Sequence, residues 1–277
     1  MNVAEPIVNL PTASAHAPAA MPGGLLVEGL SKEFGGIHAV QDLTFSIGEG
    51  KVHSIIGPNG AGKTTLMNAI SGFVAPDVGE ITVNGASIAG RRPHEVCRKG
   101  VARTFQNLQM FSEMTVLEAV ATGRHLHRRV PIHAELLMLP AAWRAERAAL
   151  ADARELLALI EVGETYWERR AGDLPYGYQR RVEIARALAT EPAYLLLDEP
   201  AAGLNNEETA ALGGTLRQLA ARGLGIALIE HDIELVMSVS QQVFVMDTGA
   251  VISSGTPDEV RADPAVMHAY LGDAHAA

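Results

Sequence analysis

The stretch Gly57-Pro58-Asn59-Gly60-Ala61-Gly62-Lys63-Thr64 restricts this chain more than any other part of it. It matches G-x-x-x-x-G-K-[ST], a motif that has meaning only between a strand and a helix. Both flanks are present: Val52–Ile56 is a short apolar run, and Thr64–Ser71 reads as a helix stopped by Gly72. Glycines let successive N–H groups curl around a phosphate chain. Lys63 brings charge to the β- and γ-phosphates, and the Thr64 hydroxyl suits Mg2+. Thr65, next along the helix, joins the phosphate-binding set. With 27 Gly, 4 Lys and 25 Ser or Thr among 277 residues, chance alone predicts about 0.003 such matches. The motif therefore implies a nucleotide.

Around it the chain alternates strands and helices. Leu25–Leu30 and Leu43–Ile47 read as strands about a turn at Gly35-Gly36, and Ile81–Ile88 as a hairpin turning at Asn84-Gly85. Val101–Phe105 reads as a strand, and Tyr194–Leu197 and Gly225–Ile229 are apolar runs of the kind covered on both faces. Gln242–Ser253 reads as a second hairpin, turning at Asp247-Thr248-Gly249, and a short helical tail follows. From Val116 to about Val162 the period is helical, interrupted by Pro131 and Pro140. The expectation is an α/β fold with a helical insert, about residues 108–185 when it is taken through the segment after Arg170.

Tyr194–Leu197 ends in Asp198-Glu199. In a phosphate-loop fold that strand lies beside the loop, so Asp198 is placed to hold Mg2+ and Glu199 to polarise the water attacking the γ-phosphate. A guanine base is disfavoured: none of Lys32, Lys51, Lys63 or Lys99 follows an asparagine. A second stretch, LPYGYQRRVEIARAL over 174–188, is amphipathic from Val182 onward, yet Pro175-Tyr176-Gly177-Tyr178 lacks the usual capping side chain. A glycine there leaves amides open at the positive end of a helix dipole, which suits an anion.

Bulk properties exclude several classes. The net charge of −10 and pI near 5.5 argue against a duplex-DNA binder. Cys97 stands alone, so neither a disulfide framework nor a cysteine metal cluster is expected. No uncharged apolar run approaches the roughly 18–20 residues that span a bilayer. Residues 1–24 are rich in Ala and Pro without Lys or Arg, which predicts a disordered tail rather than a secretory signal. Residues 273–277 read as a flexible end.

The order and spacing of the phosphate loop, Gln106, Leu174–Gln179, Asp198-Glu199 and His231 resemble an ABC-type ATPase subunit over roughly Leu25 to Leu271. YGYQRRVEIARAL, LLLDEPAAGLN, LIEHDIELVM and the terminal HAYLG are similar to the ATP-binding subunits of high-affinity branched-chain amino acid importers. The resemblance implies a P-loop NTPase with a RecA-like core, an antiparallel β subdomain and an α-helical insert, here within 25–272. It implies ATP and Mg2+ as cofactors. It places Gly57, Pro58, Asn59, Gly60, Ala61, Gly62, Lys63, Thr64 and Thr65 around the phosphates, Phe34 against adenine, and Thr64, Gln106 and Asp198 about the metal. Glu199, His231 and Lys63 become the catalytic set, with His231 contacting the γ-phosphate and positioning Glu199. Gly177 is assigned in trans, to a nucleotide held by a partner subunit's loop.

Four positions depart from the family pattern, and two of them, Tyr176 and Tyr178, replace a glycine and a glutamine. Pro175 replaces a serine whose hydroxyl meets the γ-phosphate, and proline offers neither hydroxyl nor N–H. Asn205 stands where relatives carry an aspartate. Arg124, Arg128 and Arg129, with His125 and His127, are expected to form a solvated basic face without metal binding. The implied partners are a second ATPase subunit, two transmembrane permease subunits and, indirectly, a solute-binding protein, with no nucleic acid. The implied place is peripheral, on the cytoplasmic face of the membrane. The rivals are a soluble ABC ATPase of DNA repair or translation, and a non-catalytic nucleotide-binding regulator.

Overall fold

The computed structural model of the protein describes residues 24–104, 112–127 and 140–271. Gln106, Phe105, Arg128, Arg129, Pro131, the tail before Gly24 and residues 273–277 lie outside the described residues.

Two sheets carry the fold. The smaller, in order β2-β1-β4-β5, is antiparallel and joins β1 (Leu25–Phe34), β2 (Ile37–Ile47), β4 (Val78–Val83) and β5 (Ala86–Ser87). The first two strands reach further than the apolar runs suggested, meeting at the turn where Phe34 pairs with Ile37. Asn84 and Gly85 both take positive φ, as an Asn-Gly hairpin turn requires.

The larger sheet runs β10-β9-β3-β8-β7-β6. Its parallel members are β3 (Val52–Ile56), β6 (Val101–Arg103), β7 (Tyr194–Asp198), β8 (Gly225–Ile229) and β9 (Gln242–Asp247). Only β10 (Ala250–Gly255) is antiparallel, paired with β9 through the expected hairpin. Every residue of β3, β7 and β8 is buried, which explains their unbroken apolar runs. Parallel order sends β3, β7 and β8 toward the same edge, where the chemistry of the motifs collects.

Helices cover both faces. α1 (Lys63–Ile70) leaves the phosphate loop and packs with the antiparallel sheet in one core that includes Phe45, Leu66 and Met67. A short α2 (Pro93–Arg98) precedes β6. Among the described residues the helical insert includes α3 (Val116–Ala121), a 3-10 segment over Thr122–His127, and α4 (Pro140–Leu159). The described part of α4 starts at Pro140, a position where a first-turn proline has no N–H to lose. Val116, Leu157, Val182 and Leu197 share the second core, so the insert is stitched to the large sheet.

The helix read from Val182 starts earlier. α5 spans Tyr176–Leu188, with Pro175 as an N-cap that makes no side-chain bond. Polar Tyr176–Arg181 hid this turn from a periodicity argument, since its contacts are tertiary. α6 (Asn206–Ala221), α7 (Ile233–Val239), α8 (Pro257–Ala262) and α9 (Pro264–Leu271) complete the described chain.

Candidate nucleotide site

The loop from Gly57 to Gly62 is shaped by backbone rather than by side chains. Gly57, Gly60 and Gly62 adopt φ of 148°, 83° and 96°. A Cβ on Gly57 would stand 2.0 Å from the Met246 carbonyl oxygen, and one on Gly62 would stand 2.1 Å from that of Ala39. Close approach of β9 and β2 thus demands glycine at both ends. The Gly249 N–H donates to the Ala61 carbonyl at 3.1 Å, so the β9–β10 turn braces the loop. Asn59, Gly60 and Thr64 remain exposed at its rim.

Lys63 is buried and its Nζ donates to the carbonyls of Gly57, at 2.7 Å, and Pro58, at 2.9 Å. Burial pushes its ammonium below the usual lysine range, while Glu199 and Asp198 act in the opposite sense. The cation is therefore held across the cradle, facing the acids at the end of β7.

Asp198 ends β7 as expected, and Glu199 follows at φ 50°, a left-handed conformation that costs a non-glycine residue energy and is typical of functional turns. The Glu199 N–H donates to the Ile229 carbonyl at 2.9 Å, tying the ends of β7 and β8 together. Across that junction His231 Nε2 lies 2.8 Å from Glu199 Oε1. His231 is half exposed, so its imidazole reaches both Glu199 and solvent. Lys63, Asp198, Glu199 and His231 are thus brought to one place.

Sequence reasoning missed two members of this site. Arg103 Nη2 donates to Asp198 Oδ2 at 2.9 Å, and its Nη1 donates to Asn68 Oδ1 and the Ser71 hydroxyl. Burial lowers the Arg103 guanidinium and Asp198 raises it again. Glu230, just before His231, is buried and accepts from the Ala201 N–H at 2.6 Å and the His231 N–H at 3.1 Å. The available signal was a charged residue at the end of an otherwise apolar strand.

The remaining candidates vary. Phe34 is 47% exposed at the hairpin tip, with Lys32 Nζ 5.2 Å from its ring centre. Its partner Ile37 lies on β2 close to Ala39, whose carbonyl faces Gly62, so ring and loop share one edge. Gln106 is not among the described residues. Gly177 corrects the expectation of an open glycine: it is buried in its own chain, where an added Cβ would meet Glu208 Oε1 at 2.7 Å. The exposed end of α5 is instead Pro175 and Tyr176. Asn205 serves as N-cap of α6, its Oδ1 accepting from the Glu208 N–H at 3.0 Å. Arg124 is also corrected: it pairs with Asp152 and Glu191 rather than forming a merely solvated basic face, because α4 and the end of α5 bring acids to it.

The donor set suits a nucleotide triphosphate with a divalent cation: amides in a cradle that any Cβ would fill, a buried ammonium, an exposed threonine hydroxyl and a carboxylate at a strand end.

Comparison with known proteins agrees. Residues 40–202 match the family described as ABC transporter, and residues 250–276 the branched-chain amino acid ATP-binding cassette transporter family. The chain is 45% identical over 251 residues to the high-affinity branched-chain amino acid transport ATP-binding protein BraF of Pseudomonas aeruginosa, covering 90% of this chain and 98% of that one. It is 41% identical, with the same coverage, to LivG of Escherichia coli. The crystal structure of an ABC transporter ATP-binding cassette in its ADP conformation superposes with a TM-score of 0.79 at 32% identity, covering 90% of this chain and 98% of that one. A nucleotide-free cassette gives 0.78 at 31% identity, covering 89% and 98%. These relatives are transport proteins, which leaves the repair or translation reading without support. The chain belongs to the ABC transporter ATP-binding family and is an ATPase of the branched-chain amino acid transport branch.

Proposed function

We propose that this chain hydrolyses ATP to drive import of a branched-chain amino acid or a related small polar solute through separate permease subunits, from a peripheral position on the cytoplasmic side of the membrane. The observation that carries the reading is the 2.8 Å contact between His231 Nε2 and Glu199 Oε1 beside Asp198 and the Lys63 loop. No helix among the described residues is long and apolar enough to cross a membrane.

In this reading the amides of residues 57–65 and Lys63 bind the phosphates, and Phe34 stacks on adenine. Thr64, Asp198 and Gln106 would hold Mg2+, which when bound would supply charge neutralisation for the triphosphate. Glu199 orients water and takes its proton at the carboxylate, with His231 fixing that carboxylate through Nε2. The exposed end of α5 at Pro175 and Tyr176 meets the nucleotide of a partner ATPase through the helix dipole, since Pro175 brings no hydroxyl and Gly177 is covered by its own chain. The composite site completed by this end is then the weaker of the two in the dimer, and ATP trapping equal at both sites would count against that.

Uptake of radiolabelled leucine by cells lacking this chain tests the solute. Wild-type protein should restore uptake and Glu199→Gln should not. Undiminished uptake without the chain rejects the assignment. Copurification of very apolar subunits from detergent extracts tests the permease partnership.

A further inference from the structure

Glu230 occupies a position that the ATPase reading leaves without a role. It is a carboxylate only 4% exposed, at the mouth of the active edge, and among the described residues its bonds run to backbone amides rather than to a cation. Its two oxygens diverge: Oε1 takes the Ala201 N–H at 2.6 Å, and Oε2 takes the His231 N–H at 3.1 Å, with Asp232 N–H as a further donor. Burial raises its carboxyl above the usual carboxylate range, and these three amides oppose that.

Ala201 belongs to the turn that follows Glu199. That turn closes on itself through Ala202 N–H to Glu199 carbonyl, at 3.2 Å, and Leu204 N–H to Ala201 carbonyl, at 3.0 Å. Gly203, in the same turn, faces the Tyr176 ring, to which an added Cβ would approach within 3.3 Å. A continuous path therefore runs from His231 through Glu230 and Ala201 to the exposed end of α5. A carboxylate can accept from both loops at once, whereas a neutral amide of the same shape must turn an NH2 toward one of them.

We propose that Glu230 is a positioning residue that clamps the His231 loop to the turn after Glu199, so that the carboxylate–imidazole pair and the Tyr176 end of α5 shift as one unit. The proposal rests on the ATPase reading of the site. Glu230 touches neither the phosphate cradle nor Lys63, so its loss should fall on turnover and not on nucleotide affinity.

The test compares Glu230→Gln, His231→Ala, the double variant and Glu199→Gln in the full-length chain. Affinity is read with a fluorescent ATP analogue, and kcat with Mg-ATP. Glu230→Gln should lower kcat about tenfold with affinity within about twofold of wild type. The double variant should be no slower than His231→Ala alone, because both act through one group. A wild-type kcat in Glu230→Gln overturns the proposal. So does a joint loss of affinity and kcat that multiplies with His231→Ala, since that is the mark of general structural damage. If Glu230→Gln does not accumulate folded, Glu230→Asp keeps the charge one methylene back and should show a smaller kcat loss at unchanged affinity; unchanged kcat there also overturns it. Sustained turnover in Glu199→Gln would instead remove the underlying reading, whatever Glu230 does.

Discussion

Arg103 Nη2 lies 2.9 Å from Asp198 Oδ2 where β6 meets β7, with both side chains almost wholly buried at 6% and 5% exposure. The same guanidinium grips Asn68 and Ser71 at the far end of α1. The acid assigned to the metal thus shares its charge with a cation of its own chain, and that cation links the strand to the helix leaving the phosphate loop. Arg103→Met would leave Asp198 charged and buried without its partner, a change worth about 3–5 kcal/mol. Denaturant unfolding should show a loss of that size, with Arg103→Lys milder.

Glu199→Gln keeps the shape of the side chain and its φ of 50° but removes its basicity. Steady-state turnover should fall by about 10² or more while ATP still binds. Equilibrium binding alongside phosphate release checks this, and a closed dimer should accumulate with Mg-ATP. Turnover at the wild-type rate would take Glu199 out of the proton-accepting role.

Lys63→Ala should cost nucleotide affinity far more than fold. The loop would lose two donor contacts, to Gly57 and Pro58, worth together about 1–3 kcal/mol. Titration calorimetry should show ATP binding abolished in a chain whose melting transition survives. Near-normal binding would mean the phosphates lie elsewhere.

Gly57→Ala drives a methyl to within 2.0 Å of the Met246 carbonyl, a backbone atom that cannot swing aside. Overpacking and backbone strain together predict a loss above about 3 kcal/mol. Gly60→Ala is the control, because the space beside Gly60 is open and only its φ of 83° is strained. That cost should be about 1–2 kcal/mol. Thermal unfolding of the two variants separates steric from conformational terms.

His53 gives a pH dependence with a definite sign. It is buried, accepts the Gly48 N–H at Nε2, and its imidazole is pushed from 6.5 down to about 4, first by burial and then by Lys51. Because the unfolded chain binds the proton first, stability is full above about pH 6.5 and falls as pH drops toward 4, by up to about 3 kcal/mol. His53→Gln should flatten that part of the curve in denaturant titrations run from pH 7 to 4. An unchanged slope would mean that His53 does not titrate between the two states.

The phosphate loop, the Asp198-Glu199 strand end and the Asn84-Gly85 hairpin were legible because each is a local device: its meaning lies in spacing, backbone freedom and immediate neighbours. His231 and Phe34 became legible only through family resemblance, since a lone histidine or phenylalanine carries no spacing of its own. Three features were decided by the tertiary structure alone. Arg103 reaches Asp198 across 95 positions, and Glu230 reaches Ala201 across 29, because the order β8-β7-β6 lays those strand ends side by side. Gly177 is covered by Glu208 because the starts of α5 and α6 converge. In each case the partner's identity follows from strand order and helix packing, which no short window of residues encodes.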